Sequence, residues 1–158
     1  AGIDAECRRG RRFRRAPHRC LTVYLVDTNV ISEARKGAQA NPGVTAFWRG
    51  ADATNIYLAA QTVGELRRGL ENIRLRGDAG QAARLATWLD QVTTDYADRI
   101  LAFDADCAQV WGKLMSPHPQ HPIDKQIAAI ALIHDLTVVT RHVDDFRGTG
   151  TRLHNPFR

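Results

Sequence analysis

Apolar stretches of this chain run repeatedly into carboxylates. Tyr24-Leu25-Val26 stops at Asp27, which is followed at once by Thr28 and Asn29. The run Arg99 to Phe103 stops at Asp104, Leu136 to Thr140 is soon followed by Asp144 and Asp145, and Glu65 comes shortly after Asn55 to Ala60. A charge delivered by a buried strand is costly unless it is compensated. Taken singly, each acid has a local explanation. Asp27, Asp104 and Asp124 all precede helix-like sequence and can cap it or meet its dipole. Thr62-Val63-Gly64-Glu65 fits a capping box in which Glu65 reaches back to the backbone of Thr62. Gly69, four residues on, leaves room beside the Glu65 carboxylate. Taken together, carboxylates crowded at one place raise each other's pKa. A hard divalent cation relieves that repulsion. Mg²⁺ or Mn²⁺ takes oxygen ligands in near-octahedral geometry and keeps several waters. Such a centre suits phosphodiester hydrolysis, because it lowers the pKa of water and neutralises charge on phosphoryl oxygens.

The elements that would position these acids can be read from hydrophobic periodicity. Four short β-branched runs predict strands at Thr22 to Val26, Asn55 to Ala60, Arg99 to Phe103 and Leu136 to Thr140. Helical spacing predicts helices over Val30–Lys36, Val44–Gly50, Thr62 to about Ile73, Ala82–Val92, Ala105–Met115 and Asp124–His134, with an extended tail ending at Pro156. Alternating strands and helices imply an α/β domain whose central parallel sheet is covered on both faces. In open sheets of this kind sites form beyond the carboxyl ends of the strands. Asp27, Glu65, Asp104 and the Asp144–Asp145 pair are therefore drawn to one edge. Asp124 opens a helix after the loop Ser116 to Pro122, and topology alone does not place it there.

The 158 residues fit one domain, and 44% hydrophobic with 25% charged residues is close to the soluble average. The net charge of +5 is owed to RRGRRFRR at Arg8 to Arg15, which holds six arginines and no acid. Such an arm can attract phosphate backbones. The chain opens on Ala and strand-like sequence begins only at Thr22, so residues 1–21 are expected to be a disordered or non-native arm and residues 22–158 the domain. Three scattered cysteines, Cys7, Cys20 and Cys107, support neither a zinc site nor a disulfide framework and point to a reducing, cytoplasmic compartment. Phosphate loops, dinucleotide fingerprints and nucleophile elbows have no matching pattern. His118 and His121 are expected to be solvated loop residues, and Trp48, Trp88 and Trp111 to pack in the core.

Beyond these physical readings, the chain resembles the PIN-domain ribonucleases of the VapC toxin type, in particular the FitB-like subgroup. The resemblance runs through YLVDTNVISEARKG, IYLAAQTVGELRRGLENI, RILAFDADCAQVWGKL, PIDKQIAAIAL and LTVVTRHVDDFRGTGTRLHNPF, in order, from about Val23 to Phe157. It implies a PIN-like three-layer α/β/α fold. It also implies an endoribonuclease dependent on Mg²⁺ (or Mn²⁺), whose acids fall on Asp27, Glu65, Asp124 and Asp145. Asp104 then becomes a helix cap outside the site. Thr28, Asn29 and Thr140 are candidates for orienting Asp27 or holding water, with capping and turn chemistry as the equal alternative. Two departures stand out: His142 where the family usually has Asn, and Ile123 where it often has a small or acidic residue. Asp144 competes with Asp145 for the late acidic position. Arg67, Arg68 and Arg141 are near the acids in sequence and could meet an RNA backbone. The resemblance further implies a small antitoxin covering the acidic groove, and homodimers. Two alternatives keep the fold: a metal-dependent DNA nuclease or phosphatase, and a non-catalytic RNA-binding domain. A haloacid-type phosphatase would need an aspartate where Asn29 stands, which counts against that branch.

Overall fold

A computed structural model describes residues 21–158; all of the basic arm but Leu21 lies outside the described residues. The chain forms a five-stranded sheet in the order β3-β2-β1-β4-β5. The strands are β1 (Tyr24–Val26), β2 (Ile56–Ala59), β3 (Ile100–Leu101), β4 (Thr137–Val139) and β5 (Arg152–His154), and every neighbouring pair is parallel. Six α-helices flank it: α1 (Thr28–Ala34), α2 (Pro42–Gly50), α3 (Ala60–Leu75), α4 (Ala79–Asp95), α5 (Ala105–Met115) and α6 (Pro122–Ile133).

Alternation along β1 explains the two cores. Val26 points into a cluster with Val30, Val44, Leu66, Leu70, Leu85 and Leu89, contributed by α1 to α4. Leu25 points to the opposite face, into a cluster with Cys107, Ile127, Ile130 and Phe146 from α5, α6 and the turn after β4. Helices on both faces of a parallel sheet give the expected three layers. Trp48 and Trp88 pack on the first cluster and Trp111 on the second, as core residues.

Three local expectations need correcting. The tail does not simply run extended: Arg152 to His154 pairs with β4 as a fifth strand, after Gly148 and Gly150 (φ +76° and +80°) turn the chain. Its burial pattern is mostly exposed, as suits an edge strand, so the sequence carries no apolar run to announce it. Helix α3 begins at Ala60, directly after β2, so Thr62 is inside the first turn and caps nothing. The Thr62 hydroxyl is buried without a partner, and the capping box does not form. Helix α6 begins at Pro122, which puts Asp124 in its first turn rather than at its cap. Proline suits that start because its missing N–H would have no partner there anyway.

Close approach at one glycine anchors the C-terminal tail. A Cβ at Gly43, near the start of α2, would lie 2.0 Å from the carbonyl oxygen of Pro156 and 2.9 Å from that of Arg158. Only a residue without a side chain lets the tail dock there.

Candidate active site

In the strand order β3-β2-β1-β4-β5, connections from β1 and β4 leave in opposite directions. Their carboxyl ends therefore bound a crevice, the usual location of a site in an open α/β sheet. Asp27 follows β1 immediately, is 3% exposed and donates its backbone N–H to the Val139 carbonyl at 3.0 Å.

The Asp27 carboxylate is held from several directions. One oxygen accepts the Thr28 backbone N–H at 2.7 Å, which caps α1. The other accepts the Asn29 side-chain amide at 2.6 Å and the Thr140 hydroxyl at 2.7 Å. Thr140 also accepts from Asn29 at 3.2 Å and from the His142 backbone N–H at 3.0 Å. Asn29 in turn accepts the Arg141 backbone N–H at 2.9 Å, so α1 is tied to the segment after β4. The Thr28 hydroxyl donates to the Glu65 carboxylate, which ties α1 to α3. Glu65 thus faces the crevice rather than the backbone of its own helix. Capping and site are not alternatives at Asp27, because one carboxylate does both.

A second group of side chains lines the same crevice with looser geometry. Asp124 comes from the first turn of α6, and Asp145 from the short 3-10 turn Val143–Phe146 after β4. Buried Phe146 anchors that turn in the second core. His121, just before α6, has left-handed backbone (φ 53°) and brings its Nδ1 to 3.7 Å from Asp124 and 3.6 Å from Asp145. One ligand-capable atom from each of these three residues lies within 4.8 Å of the others. Trp111 helps to place them by donating its indole N–H to the Pro122 carbonyl at 3.2 Å.

Electrostatics join the two groups. Burial, followed by the negative charges of Asp27, Asp145 and Glu65, pushes the Asp124 carboxyl up to about 6, against a smaller opposing pull from His121. The four acids are therefore close enough to act on one another. Asp144 turns outward and pairs with Arg147 at 2.9 Å, which leaves Asp145 as the late acid of the crevice. Asp104 stays outside it: it caps α5 by accepting the Cys107 backbone N–H at 2.9 Å, a bond that holds its carboxyl below the usual range.

His142 is exposed and enters the network through its backbone. Ile123 is 40% exposed beside Asp124. Arg67 pairs with Glu71 at 3.5 Å, and Arg141 lies over the Phe157 ring at 4.4 Å.

His121 is the residue that reading the sequence misses. Flanking prolines suggest a solvated loop. The available signal is its place one residue ahead of a proline-started helix and three ahead of Asp124, a spacing that sets two side chains on one turn. The donor set suits a hard divalent cation, with carboxylate oxygens predominating and one imidazole alongside. The raised proton affinity of Asp124 shows the excess negative charge that such an ion would relieve.

An open parallel sheet with an acid-lined crevice between its diverging strands defines an α/β domain organised around a carboxylate centre. Residues 24–149 match the PIN domain family, and the chain belongs to it. It is 35% identical over 141 residues to toxin FitB of Neisseria gonorrhoeae, covering 85% of this chain and 99% of that protein. It is 33% identical over 142 residues to VapC ribonuclease Y4jK of Sinorhizobium fredii, covering 85% and 98%. Among solved structures, FitAcB from Neisseria gonorrhoeae superposes with a TM-score of 0.76 at 32% identity, over 86% of this chain and 99% of that one.

Proposed function

We propose that this chain is an endoribonuclease dependent on Mg²⁺ (or Mn²⁺) and the toxic component of a toxin–antitoxin pair. The observation that carries the reading is the crevice that brings Asp124 to Asp27, Glu65 and Asp145, where burial first and then those three charges raise its proton affinity. When bound, the ion would neutralise charge on the phosphoryl oxygens and make water more acidic. Asp27, fixed by Thr28, Asn29 and Thr140, is the rigid anchor for it. Asp124 and Asp145 supply the remaining charge, with His121 between them. Glu65, oriented by Thr28, is placed to accept a proton from the attacking water. In this reading residues 22–158 form the working PIN domain, and no part of the function rests on residues 1–21.

The relatives support the biological half of the proposal. One is named a toxin, one a ribonuclease, and FitAB has been solved bound to a DNA fragment. The proposal includes a small antitoxin, an RNA substrate, a homodimer and a cytoplasmic location for this chain. Among the described residues no helix is long and apolar enough to cross a membrane.

Purified protein should cut single-stranded RNA with Mg²⁺, lose that activity with chelator, and lose it in Asp27→Ala. Cleavage that survives chelation, or full activity in Asp27→Ala, would defeat the proposal. Metal-dependent cutting of DNA but not RNA would replace it with the DNA-nuclease reading.

A further inference from the structure

Of the arginines singled out in the sequence, Arg67 forms an exposed pair with Glu71 and Arg141 lies over the Phe157 ring. A different cation raises a question. Lys125 directly follows Asp124, is only 6% exposed, and donates its ammonium to the His118 backbone carbonyl. Among the described residues it has no carboxylate partner within salt-bridge distance. An ammonium carries three donors, and one neutral carbonyl compensates a buried positive charge poorly.

Lys125 forms one wall of a cavity of about 190 Å³. Lys113, His118 and Arg147 contribute the other polar walls beside Gly148 and Thr149, and no acid lines it. The Arg147 pair with Asp144 is an exposed one, with side chains 79% and 72% accessible, so it holds the guanidinium weakly. The chain segments that carry the looser acids lead straight into this cavity: Lys125 comes one residue after Asp124, and Arg147 two residues after Asp145.

We infer that this cavity is a phosphate subsite of the nucleic-acid strand: Lys113, Lys125 and Arg147 take a backbone phosphate adjacent to the one held at the acids. The inference rests on the nuclease reading. A backbone contact of this kind positions the strand without reading its bases. It also compensates the buried ammonium in the complex, where the guanidinium adds a two-pronged contact.

The test separates strand binding from cleavage. In an Asp27→Asn background, binding of a single-stranded RNA oligonucleotide is followed by fluorescence anisotropy across a salt series. Lys113→Ala with Arg147→Ala should weaken binding about tenfold and flatten the salt dependence by about 0.7 per lost contact. In the active protein the same pair should raise KM with little change in kcat. Lys125→Met should act in the same direction. Arg74→Ala, roughly 14 Å along α3 from Glu65, is the control and should change neither quantity. Unchanged affinity and salt slope in the exposed double variant would overturn the inference. So would a cavity that takes inorganic phosphate, seen by NMR titration, while RNA affinity stays unmoved in that variant. Failure of the nuclease reading is distinguishable, because it shows as no Mg²⁺-dependent RNA cleavage by the unsubstituted protein, whatever the double variant does to binding.

Discussion

The two sides of the crevice are built differently. On the β1 side, Asp27 and Glu65 are held by hydrogen bonds from Thr28, Asn29 and Thr140, several at 2.6 to 2.7 Å. On the α6 side, His121, Asp124 and Asp145 approach one another only to 3.6 and 3.7 Å, without a side-chain hydrogen bond among them. The protein's own donors satisfy the first side. The second side concentrates charge that those donors do not neutralise, and burial together with that charge raises the proton affinity of Asp124. In the proposed nuclease, rigid carboxylates on one side and charge excess on the other would give a cation both a fixed reference point and a reason to bind.

Asp124→Asn breaks this contrast with the largest effect. It removes a charge from the unsatisfied side, so metal-dependent cleavage should fall on the order of a thousandfold. Stability of the metal-free protein should move the opposite way. The folded carboxyl titrates near 6, above its ordinary 3.8, so folding favours its protonated form. Its contribution is therefore best below about pH 4, declines as pH rises through 4 to 6, and is a full penalty above 6. At pH 7.5 the substitution should stabilise the metal-free protein by on the order of 2 kcal/mol, visible as a higher Tm, and should remove part of the slope between pH 4 and 6. A lower Tm in Asp124→Asn at pH 7.5 would show that the charge is already compensated by the fold.

Thr140→Val breaks the satisfied side. It deletes one donor to Asp27 and an acceptor for the His142 backbone while keeping the shape. Loss of an orienting partner should cost 10- to 100-fold in metal affinity or activity, about what such partners contribute. Unlike Asp124→Asn, it should also destabilise the fold by about 1–3 kcal/mol, because a buried acceptor loses its donor. Calorimetric Mg²⁺ titration and thermal melting on the same sample separate the two. Opposite signs of ΔTm in Thr140→Val and Asp124→Asn are the signature of the two-sided crevice; matching signs would erase the distinction.

His121→Asn sharpens the contrast within the looser side. Asparagine tolerates the left-handed backbone that His121 adopts, so the loop should keep its course. If the imidazole contributes nitrogen character to the donor set, Ni²⁺ affinity should drop several-fold and Mg²⁺ affinity less, because imidazole suits the later transition metals better than magnesium. Equal losses for both ions would leave the histidine a purely electrostatic role.

How much of this was legible beforehand follows the same division. The alternation of apolar runs with helical spacing is a strong signal, and it led to four strands, the helices and the parallel sheet. Edge strand β5 escaped because Arg152 to His154 is mostly exposed and carries no apolar pattern. Helix α3 starts two residues before the sequence suggests, because Thr62 and Glu65 mimic a capping box that the directly joined β2–α3 junction never uses. Asp27 could be read because it terminates a strand. Asp124 needs the family resemblance, since topology does not dictate where α6 points, and so does the choice of Asp145 over Asp144 within a pair that the end of β4 already draws to the crevice. His121 reads as solvent-facing between its prolines; its spacing to Asp124 is the local signal, and its approach to Asp145 is a tertiary fact.

Asp104→Ala is the smallest and most discriminating change, because Asp104 and Asp27 look alike in sequence. Each ends an apolar run and each caps the helix that follows, Asp27 through Thr28 and Asp104 through Cys107. They differ in place. Asp27 lies between β1 and β4, where the sheet's connections diverge, whereas β3 is the sheet's edge, remote from that switch point. Loss of a cap should cost about 1 kcal/mol in either position. For Asp104 that should be the whole effect, with RNA cleavage and Mg²⁺ affinity unchanged while melting shifts down by a few degrees. Asp27→Ala should abolish cleavage. A substantial loss of activity in Asp104→Ala, at unchanged secondary structure, would mean that the acidic centre extends along the sheet edge, and that position at the switch point is not what separates a ligand from a cap.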